Sequence, residues 1–179
     1  MAYTITSPLI CGLPAITNID SGYTPVNGTS AIPSSPMVPG MIVHAVDPTY
    51  GEGEFILLKG VASTAVGSLV RYNAVTFQTV LATNTAVQDM PVAVAMSANL
   101  AGTWGWYQIT GTAALSKTID AIIAANVAVY LSPTAGTVRS IASAGKQIVA
   151  CRTQLASTGS TTATVLVTIN RPHLQSQVT

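Results

Sequence analysis

The chain has 179 residues, of which only 7% are charged, and its net charge is +1; an ordinary soluble domain carries roughly 25% charged residues. That balance excludes the basic footprint of a nucleic-acid-binding protein and the cationic face of a protein held on an anionic membrane surface. Mean hydropathy is high, at +0.49, yet the longest largely apolar run, Ala121 to Leu131, is broken by Asn126 and falls well short of the about 20 residues of a spanning helix.

The apolar fraction comes from small residues: 25 Ala and 19 Val, beside 24 Thr and 15 Ser, against two Phe and two Trp. Thr and Val are branched at Cβ and suit an extended backbone. A neutral, hydroxyl-rich surface is soluble but has no long-range repulsion to keep copies apart, and depletion of charge is characteristic of interface cores. The composition therefore points to an assembly, with a neutral-surfaced monomer as the alternative. Cys11 and Cys151 form no Cys-x-x-Cys pair, so neither a zinc site nor a redox motif is expected, and two free, buried thiols are.

Residues 1–40 hold six of the ten prolines (Pro8, Pro14, Pro25, Pro33, Pro36 and Pro39) and one charge, Asp20. Such a density disfavours helix and central strand. The segment nevertheless carries regular apolar side chains, among them Ile5, Leu9, Ile10, Leu13, Ile16 and Tyr23, which a disordered linker lacks. It reads as an extended N-terminal arm whose anchors lie either along a neighbouring subunit or back on their own domain. Its first residues have no cationic start, so no secretory signal is expected and synthesis is placed in the cytoplasm.

Residues 41–179 read as one all-β domain, a β-barrel or β-sandwich of short antiparallel strands. In chain order the expected strands are 41–46, 54–59, 68–72, 76–81, 91–97, 103–110, 112–115, 127–131, 137–141, 147–152 and 162–170. Asp47-Pro48, Gly51, Gly53, Asn73, Asn84, Gly102, Pro133, Gly136, Gly145 and Gly159 mark turns between or beside them. One short helix is expected over Ile119–Ala125, capping a barrel end. Within 103–110, Trp104, Trp106 and Gln108 share one face, and Tyr107 and Ile109 the other. Apolar groups on both faces predict a strand covered by core on one side and by a partner on the other. A local repeat joins Val92–Ser97 with Ala101-Gly102-Thr103 to Val127–Ser132 with Ala135-Gly136-Thr137, which predicts two equivalent hairpins.

Catalytic patterns are sparse. His44 lies in a strand and His173 in a tail, with no paired-histidine spacing for a metal. Glu52 and Glu54 flank Gly53, which reads as a solvated turn rather than the two carboxylates of a glycosidase, since those come from separate elements. There is no nucleophile elbow and no phosphate-binding glycine loop. No catalytic residue, metal or cofactor is expected. Trp104, Trp106 and Tyr107 are the binding candidates, as a sugar-stacking surface or as interface aromatics; the structural alternative is that a Trp fills the core.

The succession Gly67-Ser68-Leu69-Val70, Pro91-Val92-Ala93-Val94-Ala95, Gly102-Thr103-Trp104-Gly105-Trp106-Tyr107-Gln108-Ile109-Thr110-Gly111 and Ala125-Asn126-Val127-Ala128-Val129-Tyr130-Leu131 resembles small head proteins of bacteriophages, the decoration or capsid-cement family. The resemblance covers roughly residues 54–155 and leaves out the arm. It implies a β-barrel-like structural protein of the virion that sits on the capsid surface. It further implies bridging of the major capsid protein without catalytic residues, and assembly as a homo-oligomer, a trimer where the lattice offers threefold sites. Related barrels in tails and fibres imply the alternative of a carbohydrate- or receptor-binding module. The interface candidates are then Ile5, Leu9, Ile10, Leu13, Ile16, Tyr23, Trp104, Trp106 and Tyr107.

Overall fold

The computed structural model describes residues 1–8, 13, 15–16, 38–85, 90–118, 123–157 and 164–175. Leu9, Ile10, Cys11 and Tyr23 lie outside the described residues, as do residues 119–122 of the expected helix. Among the described residues, short stretches rich in Val, Thr and Ile, cut by glycine and asparagine turns, form twelve strands. These are β1 (Thr4–Ser7), β2 (Ile42–Asp47), β3 (Gly51–Lys59), β4 (Leu69–Tyr72), β5 (Thr79–Leu81) and β6 (Val92–Ala95). They continue with β7 (Trp104–Gln108), β8 (Thr110–Ser116), β9 (Ala128–Leu131), β10 (Val138–Arg139), β11 (Gln147–Thr153) and β12 (Thr164–Leu174). The fold is all-β, with two antiparallel sheets, one of them curled into a half-barrel.

The seven-stranded sheet runs β1-β2-β3-β7-β6-β4-β5, and the five-stranded sheet β10-β9-β11-β12-β8. Two of the expected strands shorten for a local reason. The Asn73 carboxamide accepts the Val75 and Thr76 amides at 2.8 and 3.0 Å, which holds residues 73–77 as a turn and leaves only Thr79–Leu81 to pair. The stretch expected at 137–141 likewise pairs only at Val138 and Arg139. Conversely, β3 begins at Gly51, so Glu52 and Glu54 lie in a strand rather than a turn. Strand β12 continues to Leu174, which places His173 opposite Val149 instead of in a free tail.

The seven-stranded sheet has two apolar faces. On the inner face of the curl, Ile56, Leu58, Val70, Ala95, Tyr107 and Ile109 form one buried cluster. The curl returns on itself. Gln78, beside edge strand β5, bridges to Lys59 at the end of β3, and the Lys59 amide donates to the Phe77 carbonyl at 2.9 Å. The outer face is divided between two covers. Leu69, Val92 and Val94 pack under the five-stranded sheet, while Val43, Phe55, Leu57 and Trp106 pack with Tyr3 and Ile16.

The chain changes sheet between β7 and β8. Just beyond this change Gly111, the second residue of β8, takes φ +93°, and a side chain at that position would overlap the Glu52 carbonyl oxygen. Only glycine combines this backbone with so close an approach.

The repeated hairpins are present and share a turn. Strand β6 pairs with β7, and β9 with β10. In the first turn Thr103 donates its amide and hydroxyl to the Leu100 carbonyl at 3.2 and 2.9 Å. In the second, Thr137 does the same to Thr134 at 3.2 and 2.8 Å. Gly102 and Gly136 each precede that threonine in the left-handed region.

Candidate interaction site

Position 40 does not separate a body from an arm among the described residues. Residues 4–7 form edge strand β1, with Thr4 opposite Val46 and Ile5 opposite Ala45. Of the expected arm anchors, Ile16 is fully buried, and Ile5 and Leu13 are half-buried against the same cluster. The anchors expected to lie either on a neighbour or on their own domain therefore lie, at Ile5, Leu13 and Ile16, on their own domain.

The first three residues make a clasp. The Asp47 carboxylate closes the β2–β3 turn by accepting the Thr49 and Tyr50 amides at 2.8 and 3.0 Å, and its other oxygen accepts the Ala2 amide. Burial pushes this carboxyl up, but the amides of Thr49, Ala2 and Tyr50 and the nearby amino terminus outweigh it, so it stays below its ordinary value. Alternation along the segment then turns Tyr3 inward. Its ring meets Phe55 edge-on, with centroids 4.8 Å apart. Its hydroxyl donates to the Thr112 carbonyl at 2.8 Å and accepts from Gln108 Nε2 at 3.3 Å. Burial raises the Tyr3 hydroxyl pKa, with the Gln108 bond opposing, so the group is neutral and suited to donate.

Gln108 is the polar residue of a buried face. Its Nε2 also reaches the Thr110 and Thr112 carbonyls at 3.0 and 2.9 Å. It thereby joins β7, the start of β8 and Tyr3 in one network beneath the N-terminal segment.

The aromatic candidates do not form a surface platform. Trp106 and Tyr107 are 0% exposed and Trp104 9%. Both tryptophans lie on the outer face under the N-terminal segment, and Tyr107 lies inside the curl with Asn99, Thr79 and Thr64 at its hydroxyl. The alternation of β7 is as expected, but the chain itself covers both faces, so neither needs a partner. A sugar-stacking surface built on these three side chains is corrected on that ground, because a stacking ring must present its face to solvent.

Two exposed ionisable side chains meet one carboxylate at the surface. The Arg171 guanidinium spans to both Glu54 oxygens at 3.1–3.3 Å, and His44 Nε2 lies 3.7 Å from the same carboxylate. This notch ties β2 and β3 to β12. Cys151 is a free, buried thiol, and its burial pushes the thiol pKa up to about 12. It lies at the foot of a depression of about 390 Å³ between β9 and β12, where β11 bulges at Ala150. Among the described residues no group of three or more His, Cys, Asp or Glu is placed to hold a metal ion. Nor is any helix among them long and apolar enough to cross a membrane.

Sequence reasoning missed the clasp. Tyr3, Asp47, Gln108 and Thr112 are scattered along the chain and meet only through the fold. The one visible signal was an aromatic residue within an alternating stretch at the very start. Set against protein-family models and against curated proteins, the chain finds no match.

Proposed function

We propose that this chain is a structural virion protein that acts through protein–protein contacts, without catalysis, as a decoration or cement protein of a bacteriophage head. Its partner on this reading is the major capsid protein, met on the capsid surface, and the chain assembles as a homo-oligomer. The observation that carries the reading is how the few charges are used. Asp47 is buried in the clasp, Lys117 is buried, Glu54 and Arg171 neutralise one another, and Arg139 and Arg152 bond to backbone carbonyls. Charged residues are few in the chain as a whole, at 7%, even though Glu52, Arg152 and Arg171 remain exposed, and a surface poor in charge is one that associates.

The strand edges support the same reading. Edge strands in proteins that stay apart are usually guarded by lysine, proline or a bulge. Strand β1, last in the seven-stranded sheet among the described residues, has the sequence Thr-Ile-Thr-Ser and carries no charge, its guards being limited to a register shift between Ile5 and Ser7 and to Pro8 at its end. The resemblance of residues 54–155 to phage head proteins supplies the capsid as the partner. The carbohydrate-binding alternative has lost its three aromatic side chains to the core.

The test is co-sedimentation of the purified chain with head shells of the phage that encodes it. Saturable binding at a fixed ratio to the major capsid protein, with shells that withstand more heat or denaturant, is the expected result. Shells that pellet without it would refute a decoration role.

A further inference from the structure

We propose that the clasp receives the N-terminal strand of a second copy of this chain, so that subunits join by exchanging β1. This rests on the reading of the chain as an assembly protein and names the contact that would join its copies.

The hydrogen bonds, strand pairing and ring contact described for Ala2, Tyr3 and β1 are made to residues remote in sequence. Ala2 meets Asp47, Tyr3 meets Phe55, Gln108 and Thr112, and β1 pairs with β2. None of these uses the covalent link between segment and body. The receiving surface is therefore a peptide site, with a strand edge for the backbone, a carboxylate for the Ala2 amide, and an apolar recess ending in a carbonyl and an amide for a tyrosine.

The link is far longer than the pairing needs. Neighbouring antiparallel strands need a loop of only about two to five residues, and β2 and β3 use residues 48–50. Strands β1 and β2 are joined instead by residues 8–41. Leu13 and Ile16 within that stretch are seated in the same cluster as Tyr3 and would travel with β1, and residues 17–37 can reach up to about 70 Å when extended. Closing so long a loop gives the segment a low effective concentration at its own site. The same segment from a neighbour competes on nearly equal terms once copies are held side by side. The occupant is fixed by identity: the sequence that fits is the sequence already seated there.

A mixed cross-linking experiment tests this. In a full-length background carrying Cys11→Ser and Cys151→Ala, one population carries Thr4→Cys and another Val46→Cys. Both positions are exposed and stand opposite each other across β1 and β2, at a spacing a disulfide can bridge. The two are unfolded together, refolded, oxidised and run without reductant. Exchange predicts an interchain disulfide between the two variants, in roughly tenfold or greater excess over either variant with itself.

A double variant that closes only within its own chain, with no mixed product, overturns the exchange. If light scattering of the same sample still shows an oligomer, assembly stands and only the exchange falls. A monomer throughout removes both. Predominance of Thr4→Cys joined to itself would indicate edge-to-edge pairing of β1 and also overturn the proposal. A double variant that forms no disulfide contradicts the β1–β2 register on which it stands.

Discussion

The carboxamide of Asn99 fills the space that a side chain at Gly105 would occupy. Asn99 lies on the loop between β6 and β7 and is almost wholly buried, and Gly105 is the second residue of β7. A second glycine completes the seat, since a Cβ at Gly60 would come within 2.7 Å of Asn99 Cβ. The Gly60 amide donates to the Thr103 carbonyl at 2.7 Å, so the loop is fastened across the ends of β3 and β7. The glycine between the two tryptophans is thus a packing requirement.

Gly105→Ala should therefore destabilise the protein by about 2–3 kcal/mol, at the upper range for overpacking a filled site. Asn99→Gly in the same chain should recover part of that loss, with a coupling of about 1 kcal/mol or more because the two residues share one space. Denaturant midpoints of the two single variants and the double variant measure this. Simple additivity would contradict the seat.

Trp106 lies at the centre of the outer-face cluster, between β7 and the N-terminal segment. Trp106→Ala should cost about 3–5 kcal/mol, as for other large aromatics truncated in a core. In the native protein, tryptophan emission should resist quenching by iodide and acrylamide. Ready quenching, with stability unchanged in the variant, would return the indole rings to the surface.

Asp47 makes the clasp sensitive to acid. Its carboxyl is depressed in the folded protein, so its contribution is fully present above the ordinary value of 3.8. That contribution is lost as pH falls from there through the depressed folded value. Asp47→Asn should lower the melting temperature at neutral pH and flatten its decline in acid, and hydrogen exchange should show faster opening of Thr4–Ser7. An unchanged pH profile would show that the carboxylate does not hold the N-terminus.

Cys151 should be inert. Burial pushes its thiol pKa up to about 12, so almost no thiolate exists near neutral pH. Alkylation mapped by mass spectrometry should label Cys151 in denaturant and leave it unlabelled in the native protein. Rapid native labelling would mean that the β11 bulge opens.

Most of the β framework was legible because its signals are local. Glycine and asparagine turns and short runs of β-branched, aliphatic or aromatic residues mark the strands from β2 to β12, and the alternation of Trp104, Trp106 and Gln108 against Tyr107 and Ile109 gives the two faces correctly. What covers those faces was not legible, because the cover is remote in sequence. Proline density in residues 1–40 hid β1, whose burial is slight apart from Ile5. Tyr3 finds Thr112 across 109 positions, and Arg171 finds Glu54 across 117. Spacing within the sequence carries no trace of either pairing.

The most direct test of the account is the mass of the full-length chain in solution, measured by light scattering over a wide range of concentration. Truncation at residue 41 would remove Tyr3 and Ile16 from the core, so the intact chain is the sample to use. The account predicts a defined oligomer, a whole-number multiple of 18.3 kDa, whose mass hardly changes with salt because the chain carries few charges. A particle that stays at 18.3 kDa at every concentration would contradict assembly through the chain's own contacts.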